Sequence, residues 1–426
     1  MTIAVFTLSL LGAMALGMPI AFALIVCGVA LMYTLDIFDA QIIAQNIING
    51  ADSFPLMAVP FFMLAGEIMN KGGLARRIVN VALALVGHLR GGLGYVAILA
   101  SCLLASLSGS AVADAAALAA LLVPMMVAAG HSKKYSAGLV AAGGIIAPVI
   151  PPSIGFVIFG VAGGVSISKL FLAGIFPGLM LGFALCFSWW WVVRKENPVS
   201  PPRKPLREML WAVVDGFWAL MLPVIIVGGL RFGIFTPTEA AVVVAVYSLF
   251  VATCIYRELK LNQLYEIFVS AALTTSVVMF LVAAALVSSW LITVSEIAIQ
   301  VVDLLRPFMG NQTLLLFAIM VVVVIVGTAL DMTPTILILT PILMPIIKQA
   351  GIDPVYFGVL FIINAAIGLV TPPVGVVLNV VCGVSNLSME DIIKGVWPFM
   401  MAQLAVLFLM VLFPALVTVP AKWFAG

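Results

Sequence analysis

Apolar runs follow one another along almost the whole chain, separated by short polar breaks. Residues 2–16, 18–34 and 55–69 come first, followed by a semi-amphipathic stretch that carries Lys71, Arg76, Arg77, His88 and Arg90. Residues 94–129 form one long apolar region interrupted by Ser106-Leu107-Ser108-Gly109-Ser110, and residues 135–162 contain Pro148-Val149-Ile150-Pro151-Pro152-Ser153. Residues 170–193 end in Trp189-Trp190-Trp191 beside Arg194 and Lys195, the pattern of an interfacial aromatic anchor with a basic flank. After a polar linker at 197–202 the pattern restarts with apolar runs at 211–230, 237–256 and 266–294. Residues 295–306 place Glu296, Gln300, Asp303 and Arg306 at helical spacing, which suits a helix lying flat at the interface. Residues 313–350 are interrupted at Leu330-Asp331-Met332-Thr333-Pro334, 355–384 contain a second Pro-Pro break, and 395–419 close the pattern. A helix needs about 20 residues to cross the hydrocarbon core, so the pattern predicts an all-α polytopic membrane protein.

The two breaks match. Pro148-Val149-Ile150-Pro151-Pro152-Ser153 and Leu369-Val370-Thr371-Pro372-Pro373-Val374 align at an offset of 221 residues. The same offset pairs Pro124 with Pro345, Gly130 with Gly351, Tyr135 with Tyr356 and Pro177 with Pro398. Duplicated halves with helices interrupted at corresponding places point to the binding site of a secondary transporter. Broken helices free backbone N–H and C=O groups, tolerated at membrane depth only where protein or a water-filled cavity meets them.

Basic residues on both sides of 92–129, Arg90 before and Lys133-Lys134 after, predict a re-entrant hairpin rather than a crossing. Each half then makes five crossings plus one re-entrant helical hairpin and one broken helix (135–162 and 355–384). Five is odd, so the second half is inverted relative to the first. With the linker inside, most of the 19 Lys and Arg fall on the cytoplasmic side, and both termini face outward. A single tilted helix over 2–34 would reverse the N-terminus. The predicted divisions are scaffold at 1–91, transport part at 92–194, cytoplasmic linker at 195–208, second scaffold at 209–311, second transport part at 312–420 and a tail at 421–426.

Composition removes other classes. Hydrophobic residues make up 64% of the 426 and charged residues 8%, with mean hydropathy +1.29, whereas soluble domains are about a quarter charged. Cys27, Cys102, Cys186, Cys254 and Cys382 stand singly in apolar segments without metal-type spacing, so they read as small buried hydrophobes. Met1 leads into an apolar segment without a basic start, so no removable signal peptide is expected. No Gly-x-x-x-x-Gly-Lys-Ser/Thr loop occurs. An ion-driven carrier remains, with a hard cation such as Na⁺ expected as the coupling ion and no other cofactor.

Hard cations take oxygen ligands, and unwound carbonyls at half-helix ends provide them. One candidate sodium site combines Ser106, Ser108 and Ser110 with Gly144, Ala147, Pro148, Ile150 and Pro151. A second combines Gly327, Thr328, Asp331 and Thr333 with Gly368, Val370 and Thr371. Between them an anionic substrate would meet Ser108, Gly109, Asp114, Pro152, Thr333 and Pro373. Plainer roles compete. Thr333-Pro334 has the form of an N-cap followed by N1 proline, Ser110 can cap the next arm, and Asp114 can complement a helix N-terminus. Thr236-Pro237-Thr238-Glu239 is a capping box, and Glu67 and Asp215 suit structural roles.

Several stretches carry a family resemblance. They are Val59-Pro60-Phe61-Phe62-Met63-Leu64-Ala65-Gly66-Glu67, Gly87-His88-Leu89-Arg90-Gly91-Gly92, Ser108-Gly109-Ser110-Ala111-Val112-Ala113-Asp114, Ile150-Pro151-Pro152-Ser153-Ile154, Phe235-Thr236-Pro237-Thr238-Glu239, Leu339-Thr340-Pro341 and Gly368-Leu369-Val370-Thr371-Pro372-Pro373. Over essentially its whole length the chain resembles the large membrane subunit (DctM/SiaM type) of tripartite ATP-independent periplasmic (TRAP) transporters. The resemblance implies an elevator-type Na⁺ symporter of the bacterial inner membrane that carries organic acids such as sialic acid or C4-dicarboxylates. It implies a separate small four-helix membrane subunit (DctQ/SiaQ type) and a periplasmic substrate-binding protein (DctP/SiaP type). A stand-alone Na⁺/dicarboxylate symporter is the runner-up. An intramembrane aspartyl protease using Asp114 and Asp331 is a distant alternative, because the Gly-x-Gly-Asp context is missing.

Overall fold

The computed structural model describes residues 2–194, 196 and 201–425; Lys195 and linker residues 197–200 lie outside them. No strand occurs among the described residues. The first half runs α1 (Thr2–Ala15), α2 (Ile20–Thr34), α3 (Ala40–Ala51), α4 (Ala58–Lys71), α5 (Leu74–Val86), α6 (Gly92–Ser108), α7 (Ala111–Ala128), α8 (Lys133–Gly144), α9 (Ile154–Gly163) and α10 (Ile167–Val193). The second runs α11 (Leu206–Arg231), α12 (Pro237–Phe250), α13 (Leu261–Val294), α14 (Ile297–Leu305), α15 (Gln312–Gly327), α16 (Met332–Gln349), α17 (Pro354–Gly368), α18 (Val376–Ser385), α19 (Met389–Leu412) and α20 (Ala415–Ala425).

Seven helices among the described residues are long and apolar enough to cross a membrane, or eight if α3 and the segment Phe54–Lys71, bent by 55°, form one span. Two of the seven, α7 and α16, are the second arms of the predicted hairpins. The first apolar stretch is two helices rather than one. The chain turns at Gly17 (φ 80°), and Cys27 Sγ reaches Phe6 O at 3.4 Å, so α2 folds back along α1. At 14 and 15 residues they span about 21–23 Å at 1.5 Å per residue, short of the ~30 Å core unless the bilayer thins.

Helix α3 is absent from the sequence reading. Gln41, Gln45, Asn46 and Asn49 lower its hydropathy, yet Asp39 caps it through Gln41 N–H at 2.7 Å. It packs on α13 so closely that a side chain at Gly50 would meet Ala283 Cα at 2.8 Å.

The offset of 221 recurs in the elements. Helix α7 begins at Ala111 and α16 at Met332, and they end at Ala128 and Gln349. The long α13 corresponds to α3 and α4 together. Packing exchanges in the same way: α9 lies on α16 and α18 on α7, α8 lies on α19 and α10 on α17, and α4 lies on α12 and α2 on α13. Gly155 faces Ile362 and Phe159 faces Gly358, so α9 and α17 run in opposite directions. Both Pro151–Pro152 and Pro372–Pro373 bonds are cis.

Charge and aromatic positions refine the reading. Trp189 is no interfacial anchor: it is 0% exposed and donates Nε1–H to Gly91 O at 2.8 Å. Trp190 and Trp191 are exposed, and the Arg194 guanidinium sits 4.0 Å over the Trp190 ring. Trp189→Ala is expected to cost about 3–5 kcal/mol, measurable as lost thermostability in detergent. Arg77 ties the arm α5 to its neighbours, reaching Asp215 Oδ1 at 3.2 Å and Glu258 Oε1 at 2.6 Å while covering the Tyr256 ring. The structural role expected for Asp215 is this pair. The Thr236–Glu239 capping box is present. Helix α14 lies in the predicted 295–306 stretch, with the Gln300 amide donating to Thr2 Oγ1 at 2.9 Å; the side chains of Asp303 and Arg306 lie outside the described residues. Cys27 is buried as expected, but Cys254 is exposed.

Candidate functional site

Two helix-to-helix tips face one cavity of about 640 Å³. The first, Ser108-Gly109-Ser110, joins α6 to α7, and the second, ending at Asp331, joins α15 to α16. Ser108, Gly109 and Ser110 line the cavity from one side and Asp331 and Thr333 from another, while α4 and α13 supply Glu67, Asn70 and Thr274.

The first tip turns through Gly109 at φ 62°. A side chain there would meet Pro152 O at 2.6 Å, which seats the tip on the break between α8 and α9. Ser108 Oγ–H donates to Asp114 Oδ1 at 2.5 Å and accepts Ser110 N–H at 3.1 Å. Ser110 Oγ caps α7 by accepting Ala113 N–H at 3.4 Å. Asp114 is 3% exposed, and its Oδ2 has no partner among the described residues. Ser106 Oγ–H donates to Leu103 O at 2.6 Å. Thus Asp114 lies behind Ser108 and does not line the cavity.

The first break follows from local geometry. Helix α8 ends in turns at Ile146, Ala147 and Val149. Ser153 then caps α9, accepting Phe156 N–H at 3.1 Å and donating to Pro148 O at 2.5 Å. That bond takes one of the two lone pairs of the predicted Pro148 carbonyl oxygen. The carbonyls of Ala147 and Ile150 accept no hydrogen bond among the described residues. A side chain at Gly144 would meet Ala115 Cβ at 2.7 Å, so this end of α8 is pressed on α7. Ile150 packs against Gly178, and Pro151 is buried.

In the second half the backbones themselves touch. A Cβ on Gly368 would lie 2.8 Å from Gly327 Cα, C and O. Thr328 Oγ1–H donates to Ile325 O at 2.8 Å, and Thr371 Oγ1–H donates to Ile367 O at 2.7 Å. Thr371, at the same register as Ile150, likewise has a carbonyl without an acceptor bond among the described residues. Val370 is buried. Pro373 is exposed and does not line the cavity. Thr333 is not the cap it resembles: α16 begins at Met332 with Asp331 as the N-cap residue, so Thr333 sits one position inside the helix and its hydroxyl stays uncommitted.

Three positions went unread as site residues. Glu67 lines the cavity and accepts Ser270 Oγ–H at 3.0 Å. Asn70 lines it beside Glu67. Asn364, 0% exposed on α17, donates to Met320 O at 2.6 Å while its Oδ1 has no partner among the described residues. It is a single amide in an otherwise apolar run, which is the signal that could have found it.

A bundle of apolar helices folded around paired tips, breaks and an open cavity with a few polar groups in its wall is the architecture of a membrane transporter. A solved Alcanivorax borkumensis YdaH transporter shares this fold at TM-score 0.63, 14% identity and coverage of 90% of this chain and 88% of that one. Residues 7–416 match the family model "Tripartite ATP-independent periplasmic transporter, DctM component", and the chain belongs to that family. It is 56% identical over 423 residues to the 2,3-diketo-L-gulonate TRAP transporter large permease protein YiaN of Escherichia coli, covering 99% of this chain and 100% of the relative. It is 38% identical over 416 residues to the sialic acid TRAP transporter large permease protein SiaM of Vibrio cholerae, covering 98% and 97%. The chain is a multi-pass transporter permease and not an enzyme.

Proposed function

We propose that the chain imports an organic acid anion across the bacterial inner membrane, coupled to Na⁺, by elevator movement of 92–194 and 312–420 against the scaffold. The solute belongs to the broad range that includes sialic acid, C4-dicarboxylates and sugar keto acids such as the solute named for the E. coli relative. A four-helix small subunit and a periplasmic binding protein complete the system, and both termini lie in the periplasm. Support for inverted halves comes from the exchange of packing at one offset and from the opposed run of α9 and α17.

One observation carries the Na⁺ reading: where the hydroxyl hydrogens go. Ser106, Ser108, Thr328 and Thr371 each donate their only hydroxyl hydrogen to a carbonyl or carboxylate of the protein. Each keeps an oxygen lone pair, which suits a cation and cannot serve an anion. Asn364 Oδ1 and the carbonyls of Ile150 and Thr371 add acceptors of the same kind. Electrostatics favours the same conclusion. The cavity wall carries Glu67 and Asp331 and, among the described residues, no Lys or Arg. An anion held roughly 6 Å from one carboxylate would be repelled by about 3 kcal/mol at an effective dielectric of 20, so a cation must accompany it.

In proteoliposomes, Ser106→Ala and Thr371→Ala are each expected to raise the Na⁺ concentration for half-maximal uptake about fivefold, the equivalent of roughly 1 kcal/mol, with expression retained. Unchanged Na⁺ activation in both variants contradicts the placement. Uptake driven by Na⁺ through the chain alone would remove the need for partner proteins.

A further inference from the structure

The solute's own chemistry can be read from the hydrogens that remain uncommitted, given that the cavity is the solute site. Ser108 and Thr274 have spent theirs, Ser108 on Asp114 and Thr274 on Ser270 O at 3.0 Å. Ser110 differs. Its oxygen accepts Ala113 N–H, but its hydrogen has no acceptor among the described residues. The Thr333 hydroxyl has no hydrogen-bond partner among the described residues, and neither has the Asn70 amide. All three line the cavity. The free side-chain donors of the wall are therefore one hydroxyl beside each tip and one amide on the scaffold, next to the backbone N–H groups that open α7 and α16.

The charged acceptors of the same wall are Glu67 and Asp331, beside the neutral amide oxygen of Asn70. Ionised carboxylates only accept, so they pair with solute groups that donate. We propose that Ser110 and Thr333 hold the solute's carboxylate, while Glu67 and Asp331 accept from its hydroxyls. The cavity then takes a hydroxylated monocarboxylate, a sugar acid, and rejects a dicarboxylate. A second carboxylate would bring no hydrogen to Glu67 or Asp331 and would add a like charge beside them. This assignment also divides the predicted residues: Ser108 serves the cation, and Ser110 and Thr333 serve the solute. The 640 Å³ volume lies in the ordinary range for small-molecule sites.

The test bypasses the binding protein, which filters solutes before they arrive. Melting of the purified chain with its small subunit is followed in Na⁺ with D-gluconate or succinate added. Gluconate is expected to stabilise and succinate at equal concentration is not. Ser110→Ala and Thr333→Val are each expected to weaken the apparent gluconate affinity about tenfold while leaving the Na⁺ dependence of the melt unchanged. Ser108→Ala is expected to do the reverse. Ser110→Thr, which keeps both cap and hydroxyl, is expected to restore gluconate affinity, separating solute contact from loss of the α7 cap. Equal stabilisation by succinate, or undiminished gluconate affinity in both Ser110→Ala and Thr333→Val, overturns the donor assignment while organic-acid carriage stands. Stabilisation by neither acid removes the cavity as the solute site as well.

Discussion

Gly368→Ala is expected to lower uptake more than tenfold. The added methyl would lie 2.8 Å from three backbone atoms of Gly327. Real Cβ atoms do not approach that closely, and backbone cannot swing aside as a flexible side chain can. Helices α15 and α17 must separate just where the second tip meets the second break. Overpacking of this kind costs about 1–3 kcal/mol, and every 1.4 kcal/mol is tenfold in an equilibrium. Gly383→Ala, on α18 with nothing within 4 Å of the new methyl, is the matched control and is expected to keep uptake within about twofold. Initial uptake rates normalised to membrane expression check the pair. Equal activity of the two variants would show that the Gly327–Gly368 contact is not needed for transport.

Gly109→Ala is expected to be nearly as damaging, for two separable reasons. The left-handed backbone at φ 62° costs an L-residue about 1–2 kcal/mol, and the methyl would meet Pro152 O at 2.6 Å. Asn tolerates the left-handed region better than Ala but brings the same Cβ. Gly109→Asn is therefore expected to remain impaired. Recovery of uptake in Gly109→Asn would show that backbone conformation alone matters and that the tip need not rest on Pro152.

Periodicity along the chain carried most of this architecture. Apolar length marked the helices, the paired Pro-Pro runs marked the breaks, and the Ser-rich and Asp-Met-Thr interruptions marked the tips that line the cavity. What stayed hidden depends on contacts between distant segments. Trp189 sits in a run of three tryptophans that differ only in which face of α10 they occupy, so its burial against Gly91 was illegible. Glu67 looked structural because its Ser270 partner is 203 residues away. Helix α3 was missed because amides on its polar face suppress hydropathy while its other face packs on α13. The start of α16 shifted because Asp331 and Thr333 are both acceptable caps, and local sequence does not choose between them. Directions of hydroxyl donation, which separate cation ligands from anion ligands, exist only in three dimensions.

The proposed inversion of the two halves underlies every functional assignment, and accessibility tests it directly. Lys133 opens α8 and Lys348 lies at the end of α16, and both are exposed. Single Lys133→Cys and Lys348→Cys variants, made with the five native cysteines replaced, would be treated in intact cells with a membrane-impermeant maleimide. Inverted halves predict labelling of Lys348→Cys from outside and of Lys133→Cys only after permeabilisation. Labelling of both from one face would contradict the account.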